Sequence, residues 1–164
     1  MKLRLINIVA AAAFCLGSWT VFAGDKIDLS NVITKADAEK MLGVPVKDAK
    51  GWNKEGSDGF YDSEWSYYAT KGDKALVLDL MFAGREAPPH LTKTMFSVLP
   101  PNGGKSTSVD GLGDKAIFYH DKTGLDMLNI LKGDVLITIG IHGLPANAAL
   151  KQEKSAATKI LARL

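Results

Sequence analysis

Cysteine is all but missing from this chain of 164 residues: its single example is Cys15, inside the N-terminal apolar stretch. Everything downstream therefore lacks a disulfide, a thiol nucleophile and a thiolate metal ligand. Histidine is scarce as well, at His90, His120 and His142, and no two stand four apart as a helical metal pair requires. A second long apolar run, a low-complexity tract and a long linker are also absent. Nothing beyond the first residues thus reads as a membrane-spanning helix.

Residues 1–23 have the layout of a cleaved secretory signal peptide. Lys2 and Arg4 form a basic start, Leu5 to Phe14 an apolar run, and Val21-Phe22-Ala23 a small-residue exit before Gly24. Gly17, Ser18 and Thr20 interrupt the run, which argues against a permanent anchor needing about 20 apolar residues. Cleavage changes the bulk chemistry. Losing Lys2 and Arg4 takes the basic count from 20 to 18, against 18 acids, so the mature chain is formally neutral. No nucleic-acid footprint and no membrane insertion are then expected. Residues 24–164, about 140 in number, suit one domain with a genuine core. Its expected place is the periplasm or the cell exterior.

Residues 24–33 read as extended and loosely held. Thr34 and Asp37 have capping-box spacing and predict a helix stopped by Gly43 and Pro45. Residues 47–59 are polar and read as an exposed loop carrying Trp52. Phe60–Thr70 and Ala75–Ala83 read as strands joined by Lys71-Gly72-Asp73, and His90–Leu99 as a short helix. Strands follow near Lys115–His120, Leu125–Leu131 and Val135–Ile141. Pro145 suits the N1 position of a long terminal helix, whose stripe is Leu150, Ala157, Ile160, Leu161 and Leu164. Lys-Gly-Asp before an apolar strand recurs at 132–134, so the pattern admits a duplicated hairpin–helix unit or two examples of a common turn. The expected fold is α+β: an antiparallel sheet of about five strands with helices packed on it.

This element order resembles the PsbP-like α/β sandwich. Ala36-Asp37-Ala38-Glu39-Lys40-Met41-Leu42-Gly43, and Val109-Asp110-Gly111-Leu112-Gly113-Asp114-Lys115-Ala116-Ile117-Phe118, also resemble segments of small secreted bacterial lipoprotein-type domains of unknown function. The likeness spans residues 34–164 and implies an accessory or ligand-binding role. Membrane tethering does not carry over, because Phe14 precedes Cys15 where a lipoprotein signal has a small residue.

Several motifs fail on context. Gly111-Leu112-Gly113-Asp114-Lys115-Ala116 matches a dinucleotide fingerprint, but a strand follows where the pyrophosphate needs a helix N-terminus. Pro101–Ser106 imitates a P-loop with Leu99 where the first glycine belongs. His120-Asp121 supplies one imidazole and one carboxylate, short of the three or four ligands a metal needs. No serine has a recognisable base, and Asp62 and Glu64, two apart on a strand, read more simply as solvated or salt-bridged than as an acid/base pair. No cofactor, no metal and no catalytic residue is expected.

Trp52, Phe60, Tyr61, Trp65, Tyr67 and Tyr68 remain, within 17 positions. Aromatics provide large contact area at low entropic cost, and they also pack cores. The expected contact surface is Trp52, Tyr61, Trp65 and Tyr67, with His90 from the following loop. The expected function is that of an exported non-catalytic accessory module binding a small-molecule ligand or a periplasmic protein. The alternatives are a secreted hydrolase with a non-motif site, or an enzyme inhibitor presenting the 47–59 or 84–90 loop.

Overall fold

The computed structural model describes residues 26–57, 59–100, 105–121 and 123–164; residues 1–23, expected to be a leader, and residues 101–104 of the P-loop lookalike lie outside them. Seven strands form one antiparallel sheet: β1 (Lys50–Glu55), β2 (Phe60–Tyr68), β3 (Ala75–Ala83), β4 (Ser106–Ser108), β5 (Lys115–His120), β6 (Leu125–Lys132) and β7 (Val135–His142). Their order is β1-β2-β3-β7-β6-β5-β4. The α+β class and the sandwich architecture hold, with seven strands where the pattern suggested about five. The two extra strands are the edges. β1 is exposed at every position and β4 is a three-residue exposed strand, so neither carries the alternation that one-sided burial imposes. Within the 47–59 stretch, Lys50–Glu55 is therefore an edge strand, exposed as expected but not a free loop.

Alternation divides the sheet into two faces. Leu76, Leu78 and Leu80 on β3 stand in register with Ile141, Ile139 and Ile137 on β7, all fully buried. Leu128 and Ile130 on β6 extend this floor. Over it lie α1 (Leu29–Val32), α2 (Lys35–Leu42) and α4 (Ala146–Leu161). The other face carries α3 (Leu91–Ser97), which packs on β3, β6 and β7. Helices on both sides make three layers.

Local chemistry sets the helix ends. The Thr34–Asp37 capping box is formed in full, and Gly43 ends α2 in the left-handed conformation. Pro145 stands at the N-cap of α4, one residue before the expected N1 position. Residues 27–33 are not loosely held: Ile27, Leu29 and Ile33 are buried. Polar groups of β2 fasten this segment down. Ser63 Oγ accepts from the Leu29 N–H, and the Tyr61 and Tyr67 hydroxyls donate to the Ile27 and Ile33 carbonyls.

The repeated Lys-Gly-Asp turns join β2 to β3 and β6 to β7, and these two hairpins meet at the central β3–β7 pair. The helices that follow them pack on opposite faces, α3 on one and α4 on the other. The hairpins are thus alike while the hairpin–helix units are not.

Candidate functional site

The face that bears α3 holds a row of polar side chains running straight across the sheet. Trp52 on β1 is directly opposite Glu64 on β2, Glu64 opposite Asp79 on β3, Asp79 opposite Thr138 on β7, and Thr138 opposite Asn129 on β6. Asp62 lies one step along, on the same face as Glu64. Thr138 Oγ1 donates to Asn129 Oδ1 at 2.8 Å. Burial, the Asp62 charge and hydrogen bond, and the Glu64 charge together push the Asp79 carboxyl up to about 7. Like charges on directly opposed strand positions are unfavourable, and the ion pairs among the described residues all lie elsewhere. Trp52, 42% exposed, and Tyr68, 44% exposed, flank this acidic row on the same face.

The aromatic group is divided between the two faces. Tyr61 and Tyr67 are buried in the helix-covered core, where burial raises both phenol pKa values and the hydroxyls serve backbone carbonyls. Trp65 is half-buried on that same face, its indole N–H donating to Asn53 Oδ1 at 3.2 Å. Trp52 alone of the four stands on the opposite face, so the four residues do not form one surface. His90 is exposed at the N-cap of α3 in a left-handed conformation, φ 61°.

A second polar cluster lies under α4. His120 and Asp126 are directly opposite on β5 and β6, with Nδ1 and Oδ1 2.8 Å apart. Asp121, adjacent in sequence, caps the following turn through Thr123 and Leu125 instead. Asp126 is fully buried, as is Glu153 on the inner face of α4. Burial, reinforced by the Asp126 charge, pushes Glu153 up to about 8 against an opposing contribution from the Ile141 backbone N–H. A glutamate four residues after Ala149 and three before Ala156 falls on the buried stripe of the helix; that spacing was legible in the sequence. Its partner across the interface was not, since Asp126 comes 27 positions earlier.

Among the described residues no group of three His, Cys, Asp or Glu side chains is placed to hold a metal. The Gly111-Leu112-Gly113 turn leads into β5, and both glycines have positive φ. A cleft of about 460 Å³ opens where the β6–β7 hairpin meets the chain terminus, lined by Phe82, Val135 and Leu164 with Asp114, Lys132 and Asp134 at its rim.

No protein-family model matches the sequence. No curated protein matches it either. Among solved structures, the chain is similar to a GTP binding regulator from Thermotoga maritima, at 12% identity and a TM-score of 0.48, over 80% of this chain and 83% of that one. A likeness of this degree carries nothing about what either protein binds.

Proposed function

We propose that the mature chain is an exported, non-catalytic binding module, active in the periplasm or outside the cell, with the Trp52–Glu64–Asp79 row as its contact surface. The signal-like layout of residues 1–23, and the likeness of 36–43 and 109–118 to segments of small secreted domains, support the exported accessory role. One observation carries the choice of surface: an exposed tryptophan in register with the exposed Glu64 carboxylate, on β1 and β2, which α3 leaves uncovered, with Asp79 continuing the row on β3 at the edge of α3. An aromatic face beside carboxylates suits a cationic group, the ring quadrupole and the carboxylate charge acting together. The favoured partner is a periplasmic protein or peptide presenting Lys or Arg. The 460 Å³ cleft supports the second reading, a small ligand with an apolar body.

Titration with oligolysine and oligoarginine peptides, followed by calorimetry, tests the first reading. Trp52→Ala and Glu64→Gln are each expected to weaken binding about tenfold without lowering the melting temperature. No binding of either peptide, or equal binding by all three proteins, would overturn it. Binding that survives Trp52→Ala but is lost in Phe82→Ser would move the contact to the cleft.

A further inference from the structure

The buried cluster under α4 plays no part in that surface, and its chemistry is unusual for a helix–sheet interface. The inner stripe of α4 is otherwise small or apolar: Ala149, Ala156, Ala157 and Ile160, all fully buried. Glu153 interrupts it. Facing it from β6 is Asp126, equally buried. One Asp126 oxygen and both Glu153 oxygens lack a well-formed hydrogen bond, while the other Asp126 oxygen meets His120. Two facing carboxylates cannot both ionise cheaply in a low-dielectric interior.

The remaining neighbours offer little compensation: the Ile141 backbone N–H opposes the rise at Glu153 only in part, and His120 meets one Asp126 oxygen. β7 contributes uncharged Ile139 and Ile141 to this core, and α1 consists of Leu29, Ser30, Asn31 and Val32. The lysines of α4 itself, Lys151, Lys154 and Lys159, are exposed, and Lys159 is paired with Asp37 of α2. His120, on β5, reaches only Asp126, with its own side chain 57% exposed.

We infer that buried Glu153, set against the charge of buried Asp126, is a proton-held latch, which keeps α4 docked on the sheet while Glu153 holds its proton and lets it loosen as that proton is lost to solvent. With the proton in place, Glu153 is neutral and only Asp126 can carry charge in this part of the interface. Without it, two carboxylates confront each other, and water reaches them when α4 lifts. Undocking bares the apolar floor of Leu128, Ile137, Ile139 and Ile141.

The sign follows from linkage. An exposed glutamate ionises near pH 4.5 and the docked one near 8, so the docked state holds the extra proton between these limits. Docking is firmest below about pH 4.5, weakens by up to about tenfold per pH unit as pH rises, and levels off above about 8.

Amide hydrogen exchange on the mature protein, corrected for intrinsic rates, reads this directly. Protection of residues 146–161 is expected to fall steeply from pH 5 to 8 and then level, while β3 and β7 change less. Glu153→Gln should make the profile flat. Asp126→Asn, which leaves the burial of Glu153 in place and removes the charge that adds to it, should bring the plateau to somewhat lower pH. A flat wild-type profile, an unchanged slope in Glu153→Gln, or a plateau unmoved by Asp126→Asn would each overturn the inference. If Glu153→Gln fails to fold, the wild-type slope and the Asp126→Asn shift still decide.

Discussion

At the scale of single residues, the two faces of β2 give its aromatic side chains opposite tasks. Tyr67 is fully buried and its hydroxyl closes the Ile33 carbonyl where the chain passes from α1 to α2. Trp52, on the neighbouring edge strand, is 42% exposed. Tyr67→Phe leaves that carbonyl without its partner and is expected to cost about 1–2 kcal/mol in urea unfolding. A change near zero would show that water replaces the hydroxyl freely. Strand alternation alone already placed Trp65 and Tyr67 on one side and Phe60 and Tyr68 on the other. It did not say which side the helices cover. That depends on contacts between elements far apart in sequence, and so the aromatic surface expected from composition became one exposed residue and three core or half-buried ones.

At the scale of elements, legibility tracks burial. β3 is legible because one fully buried face stamps alternation on the sequence, and β7 because its core face is an unbroken Val135-Ile137-Ile139-Ile141 row while Thr138 and His142 stand on the other. The 29–32 helix and β1 left no such mark. In β1 the local signal even points the wrong way, since Gly51 is disfavoured in strands. The structure supplies the reason for it: a Cβ at position 51 would come within 2.0 Å of the Glu64 carbonyl oxygen and 2.7 Å of the Trp65 side chain. The glycine lets β1 approach β2 with Trp65 lying across it. Gly51→Ala is therefore expected to detach β1 locally. Faster amide exchange at 50–55 should be accompanied by unchanged exchange in β7. Wild-type protection of β1 in this variant would mean that the strands shift to accommodate the methyl group. The acidic row was similarly half legible. Asp62 and Glu64 stand out in sequence as a same-face pair, whereas Asp79 joins them only through the β2–β3 register.

At the scale of the whole molecule, buried acids and surface acids pull stability in opposite directions with pH. Glu153 is raised to about 8 and Asp79 to about 7, both chiefly by burial, so the folded state holds protons that the unfolded chain releases near pH 4. That contribution is complete below about pH 4 and is lost as pH rises through 7 and 8. Other carboxylates are lowered: Asp114 by the Gly133 N–H and Lys132, Asp121 by Thr123 and Leu125, and Asp37 because its bonds to Lys159 and Thr34 outweigh its burial. Their contribution is present above about pH 4 and is lost as pH falls through their depressed values. The two limbs place maximum stability in mildly acidic solution, near pH 5. Thermal melts from pH 3 to 9 should show a maximum there and a decline on the order of 10 °C by pH 8. Asp79→Asn retains a neutral hydrogen-bonding group of the same shape beside Asp62. It should flatten the decline between pH 5 and 7 and leave the variant more stable than wild type at pH 8. A wild-type maximum at pH 7 or above would mean that the carboxyls of the open face ionise freely. The Trp52–Glu64–Asp79 row would then be more negative at neutral pH than its packing implies, with Asp79 as well as Glu64 drawing a cationic partner.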